Sequence, residues 1–163
     1  MPNAFQTAVQ QDQAPAIAGD FAGNNQTAVT LSIPGGLVAD TAGVTVGLFA
    51  WQASTGKVLN SGSGAPSGFV GRAGNMQLIT TFLAEYGGSI PVGLPVTLYT
   101  AGDFWATANT NAAVVGQKVF ASLTTGATQT GAAGATISGF IETPWKVASA
   151  CSTGELFKMT TWA

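Results

Sequence analysis

The sequence predicts an all-β fold: a short-stranded β-barrel or β-sandwich with an extended N-terminal arm. Three observations carry that expectation. Short runs alternate apolar and polar residues with a period of two, most cleanly in residues 155–162 (ELFKMTTW). Turn signals recur between the runs, supplied by 22 glycines and 7 prolines. An apolar fraction of 46% is enough for a globular core, and the chain has no internal repeat of the roughly 20–50 residues that mark a solenoid.

Residues 2–26 are dominated by Gln, Ala, Pro and Asn and sustain neither period, so residues 1–26 read as an arm with Phe5 and Phe21 as aromatic anchors. Residues 27–163 read as one β domain. In residues 27–33 (TAVTLSI), Val29, Leu31 and Ile33 share one face, and Pro34-Gly35-Gly36 ends the run. Residues 44–51 (VTVGLFAW) read as one strand with Val44, Val46, Leu48 and Ala50 on one side. Ser54-Thr55-Gly56 turns the chain into a short return strand over 57–60, a loop over 61–66, and a further strand over 67–72.

In residues 76–86, Met76, Ile79, Leu83 and Tyr86 fit a helical face, but the β formers of 79–83 favour a strand. Pro91 and Pro95 bracket a turn or edge. Strands follow at 96–100 and 103–106, then at 118–121. Residues 122–135 (SLTTGATQTGAAGA) read as a loop or hairpin tip. Pro144 is expected to split 136–142 from 146–150, and 155–162 closes the chain.

Composition narrows function. Charged residues are only 7%, against roughly 25% in an average soluble domain. There is no histidine, which excludes Ser-His-Asp and Cys-His catalysis and imidazole-based zinc sites. Cys151 is alone, so there is no internal disulfide and no CxxC motif. Lys57, Arg72, Lys118, Lys146 and Lys158 are scattered singly in a chain of net charge −2, which argues against nucleic acid as a partner. No run of about 18 apolar residues exists, so no membrane span is expected. Residues 1–6 lack a basic start followed by an apolar core, so the protein is expected to be made and kept in a cytoplasm. A surface of Ser, Thr, Asn, Gln, Gly and Ala repels neighbours weakly and loses little on burial, which suits a chain that ends inside an assembly.

Motifs for chemistry are thin. The glycines at 62, 64 and 68 have a dinucleotide-like spacing, but Phe69-Val70 follows where a helix would be needed, so they read as a turn. Asp20, Asp40, Glu85, Asp103 and Glu142 could supply a hydrolytic pair, yet nothing in the sequence joins two of them. No calcium loop is present. Asp103 beside Phe104-Trp105 has the makings of a sugar platform, or of a plain turn before a strand. Trp51, Trp105, Trp145 and Trp162 are expected as core or interface anchors.

Many short segments together resemble a known family. They begin with 1–5 (MPNAF), 11–16 (QDQAPA), 18–21 (AGDF), 34–39 (PGGLVA), 44–47 (VTVG) and 49–51 (FAW). They continue with 62–70 (GSGAPSGFV), 78–81 (LITT), 90–98 (IPVGLPVTL), 102–105 (GDFW), 115–119 (VGQKV) and 154–162 (GELFKMTTW). In these the chain resembles the structural cement, or capsid decoration, proteins of tailed-phage heads; residues 122–150 depart most from the pattern. The resemblance implies a non-catalytic virion protein with no cofactor or metal. It implies binding to the outside of the expanded capsid, often as a homotrimer, clamping neighbouring major capsid subunits after assembly in the host cytoplasm. Phe5, Phe21 and Trp105 are the expected partner-interface residues. Two alternatives stay open: a low-copy tail or fibre-base protein, and a module binding host-surface carbohydrate at the outer tip.

Overall fold

Along the last strand, Phe157 and Met159 are fully buried while Leu156, Lys158 and Thr160 stay partly exposed. Such alternation needs one covered face and one wet face, and it governs much of the chain. The computed structural model describes residues 16–23, 28–53, 55–72 and 88–162. Among them, thirteen strands form. In the first half these are β1 Val29–Thr30, β2 Val38–Ala39, β3 Val44–Thr45, β4 Phe49–Gln52, β5 Lys57–Leu59, β6 Gly68–Val70 and β7 Ser89–Ile90. In the second half they are β8 Leu98–Ala101, β9 Asp103–Thr107, β10 Lys118–Ser122, β11 Thr128–Gly131, β12 Phe140–Val147 and β13 Leu156–Thr160. The expected all-β class is what forms. The stretch 76–86 lies outside the described residues, as do 1–15 and 24–27.

A six-stranded sheet runs β1-β8-β6-β4-β5-β2, a five-stranded sheet runs β11-β10-β12-β13-β9, and β3 pairs with β7. Every pairing is antiparallel except β2 with β5. Among the described residues no sheet closes on itself, so a barrel is not formed. The two large sheets share a core of Phe49, Trp51 and Phe69 from one, and Phe104, Val119, Trp145, Phe157 and Met159 from the other. The opposite face of the six-stranded sheet has its own core, where Ala50, Val58, Val70 and Leu98 meet Leu37, Val44, Val46, Ile90 and Val96. Strands β4 and β6 lie between the two cores. Phe49, Ala50 and Trp51 are therefore buried in succession, with no wet face left to alternate with.

Four expected elements differ; one is the stretch 122–135, read as a loop or hairpin tip, which contains the strand β11 because residues 128–131 pair back onto β10. The single strand over 44–51 is broken by a turn at 46–48, with Gly47 at φ +78°. A Cβ there would lie 2.7 Å from the Ala18 side chain, so the chain bends where residues 18–19 cross it. Asn60 bridges the break: its Oδ1 accepts from Thr45 N–H at 2.6 Å, and its Nδ2 donates to the carbonyls of Thr45 and Phe49. Among the described residues 28–33 only β1 forms, at a sheet edge with an irregular register, and Val29 faces outward while Leu31 and Ile33 pack on the second core. Pro144 does not end a strand; β12 runs through it. Residues 118 to 120 of β10 face 142 to 146 of β12, which is a bulge. Proline's missing N–H costs little there. The Thr143 hydroxyl donates to the Val119 carbonyl at 2.6 Å and accepts from Trp145 N–H, and Trp145 turns into the core at 1% exposure.

The outer edge of β11 is closed by side chains. Asn111 Nδ2 donates to the Thr130 carbonyl at 2.9 Å, and its Oδ1 accepts from Thr130 N–H at 3.1 Å. The Thr130 hydroxyl donates to the Ala112 carbonyl. An amide side chain here does the work of a neighbouring strand and blunts the edge. Asn111→Ala leaves a buried backbone pair unmet and is expected to cost about 1–3 kcal/mol. A urea melt reads the loss, and an unchanged midpoint would refute the closure.

Candidate functional site

The outer face of the five-stranded sheet is built from residues that alternate with its core. Trp105 on β9 lies directly opposite Lys158 on β13, and the Lys158 ammonium sits 5.1 Å from the centre of the indole ring. One register row crosses all five strands: Gly131, Lys118, Lys146, Thr160, Asp103. Paired residues share a face, so Lys118 and Lys146 stand side by side with Lys158 two residues along β13. The basic residues that look scattered in the sequence are thus partly gathered. Three of the five occupy this face, in a chain of net charge −2.

Beside them runs a groove of about 540 Å³. It extends from Ala22 across Asp103, Lys158, Thr160, Lys146 and Ala148 to Val115 and Gly116, with Trp162 on its wall. Val115 is 61% exposed, Val114 56% and Trp162 42%, so large apolar groups flank the lysines in open water. Gly116 N–H donates to the Val147 carbonyl at 2.9 Å, which fixes the valine loop against β12. The Thr160 hydroxyl accepts from Trp162 N–H at 3.0 Å and holds the start of the terminal turn.

Of the expected interface residues, Phe21 and Trp105 are among the described residues. Phe5 lies outside the described residues. Phe21 is half-buried against its own domain, its ring centroid 4.6 Å from Phe104 and 5.5 Å from Tyr99. The segment around it lies along β9. Gly19 N–H donates to the Trp105 carbonyl, Trp105 N–H to Asp20, and Ala22 N–H to Asp103. The Gly19 carbonyl accepts from Arg72 N–H, and the Asp20 carboxylate lies 3.3 Å from the Arg72 guanidinium, both side chains about a third exposed. Trp105 is on the face described here. Trp162, expected as a core or interface anchor, stands on the groove wall, whereas Lys118, Lys146, Lys158 and Val115 were missed by sequence reasoning. Alternation around Phe157 and Met159 would have placed Lys158 on the wet face, but cross-strand register cannot be read from the sequence.

Several carboxylates are engaged in holding the chain. Glu142 accepts from Gly134 N–H at 2.6 Å and Glu155 from Ser152 N–H at 2.9 Å, while Asp20 meets Arg72. Cys151 is half-buried, its sulfur 3.7 Å from the Glu155 carbonyl. Burial raises the Tyr99 phenol above its ordinary value of 10.0. Among the described residues, no cluster of His, Cys, Asp and Glu suits a metal ion. No helix there is long and apolar enough to cross a membrane.

Comparison with known proteins gives a consistent picture. The family model of the XM1 gp53 minor capsid protein matches residues 5–161. A chain in the solved capsid of Myoviridae phage XM1 is similar over 97% of both chains, with 17% identity and a TM-score of 0.65, which is a likeness of fold. No curated protein matches.

Proposed function

The chain belongs to the XM1 gp53 minor capsid protein family, whose members are structural parts of phage capsids, and from that premise we propose that it acts as cement on the head. In this reading it binds the outer surface of the shell, bridges neighbouring major capsid subunits, self-associates as a homotrimer and performs no catalysis. Residues 19–22 are held on β9 of this chain, so the part of the expected arm that reaches a neighbour is residues 1–15, with Phe5 as its anchor.

Family membership carries the reading; the surface chemistry supports it. Only 7% of residues are charged, so little charge has to be desolvated when the surface is covered. The open apolar groups Val114, Val115 and Trp162 gain by leaving water. A protein that binds the assembled shell and not its separated subunits stabilises the shell by linkage, with no chemistry needed. Trp105, the candidate sugar platform, already has Lys158 over its ring, which favours the capsid reading over a carbohydrate one.

The test is copy number in purified virions, measured by calibrated mass spectrometry against the major shell protein. About one copy per shell subunit is expected, and removal of residues 2–15 should lower that ratio. A few copies per particle would move the protein to a tail or vertex. Absence from the particle would overturn the proposal.

A further inference from the structure

The groove described above has a sign and a texture that specify what fills it. Lys146 and Lys158 line it together with Asp103, and Lys118 stands beside Lys146 on the same sheet face, its ammonium 3.4 Å from the Pro144 carbonyl. The face is therefore positive on a chain that is negative overall. Its wall at Trp162 and its end at Val115 are apolar and open. Taking the capsid reading as its basis, we propose that this groove docks a carboxylate-bearing polypeptide segment of the shell subunit. Its acidic side chains meet Lys146 and Lys158, and a neighbouring apolar side chain rests on Val115 and Trp162.

Charge complementarity selects this occupant. Lysine ammoniums beside apolar walls sit in a less polar setting than open water, where pairing with a carboxylate is stronger. Lys158 is partly pre-positioned by the Trp105 ring 5.1 Å away, so less side-chain freedom is lost when the pair forms. A nucleic-acid backbone fits less well. It is bound by many basic contacts, favours arginine forks, and would leave Val115 and Trp162 without a role. The volume, about 540 Å³, is within the range of sites that take a few side chains.

The experiment adds the purified full-length protein to emptied heads that lack it, at rising salt, and measures bound copies. Wild type is expected to fill the heads, more weakly as salt screens the lysines. Lys146→Glu is expected to bind about tenfold more weakly. Lys146→Gln, which keeps length and loses charge, is expected to fall between. Lys57→Glu changes net charge equally but lies on β5 and is expected to bind as wild type. Circular dichroism verifies that each variant is folded. Equal binding of wild type and both Lys146 variants would overturn the groove while leaving the capsid reading in place. Failure of wild type to bind would overturn both. Binding of a short DNA duplex that is lost in Lys146→Glu would replace the partner with nucleic acid and overturn the proposal.

Discussion

Phe104→Ala is expected to destabilise the protein by about 3–5 kcal/mol, on a total stability of about 5–15 kcal/mol for a domain. The ring is fully buried between the two large sheets. Its centroid lies 4.6 Å from Phe21, 4.7 Å from Tyr99, 5.6 Å from Phe69 and 5.8 Å from Trp145. Truncation removes the transfer energy of the ring, opens a cavity the sheets cannot close, and breaks several aromatic pairs at once. Trp145 is close enough for its fluorescence to report the change. A urea melt followed by tryptophan emission should show a much lower midpoint, with Phe104→Leu recovering a good part of it. A loss below about 1 kcal/mol would mean that this cluster is not the core.

Gly126→Ala is expected to be at least as damaging, for a different reason. Gly126 sits at the tip between β10 and β11 with φ +70°, and its carbonyl accepts from Phe49 N–H at 2.8 Å. A Cβ there would lie 2.1 Å from the Phe49 carbonyl oxygen and 3.0 Å from that of Asn60. Both are backbone atoms, so the tip must undock from the six-stranded sheet. Gly134→Ala is the matched control. It has φ +74° with open space around the added methyl, so it should cost only the left-handed conformation, about 1–2 kcal/mol. Thermal melts of the two variants separate the effects; equal losses would refute the docking of this tip.

These two positions mark what the sequence can and cannot disclose. Period-two burial of Phe157 and Met159 is visible in residues 155–162, because one local pattern decides it. Strands β8, β9 and β10 are legible for similar reasons, as each lies next to a turn signal. The break at Gly47 is not legible, since its cause is Ala18, a residue distant in the chain. Pro144 misleads because the bulge that admits it depends on the partner strand β10. The site is less legible than the fold. Trp105 stands out by residue type, but the lysine row exists only once five strands are in register. Phe21 has the character of an anchor and serves as one, against its own ring cluster in this chain.

The seam between residues 19–22 and β9 has a mechanical consequence. The segment lies antiparallel to the strand, joined by three backbone hydrogen bonds, and a fourth ties Gly19 to Arg72 beside the other sheet. A pull along this segment loads those bonds in shear, so they resist as a group instead of parting one after another. The rate at which they yield then depends on the barrier to breaking the group, since forced unfolding follows the unfolding rate and not the equilibrium stability. Tension applied at Gly19 would be carried into β9 of one sheet and Arg72 beside the other.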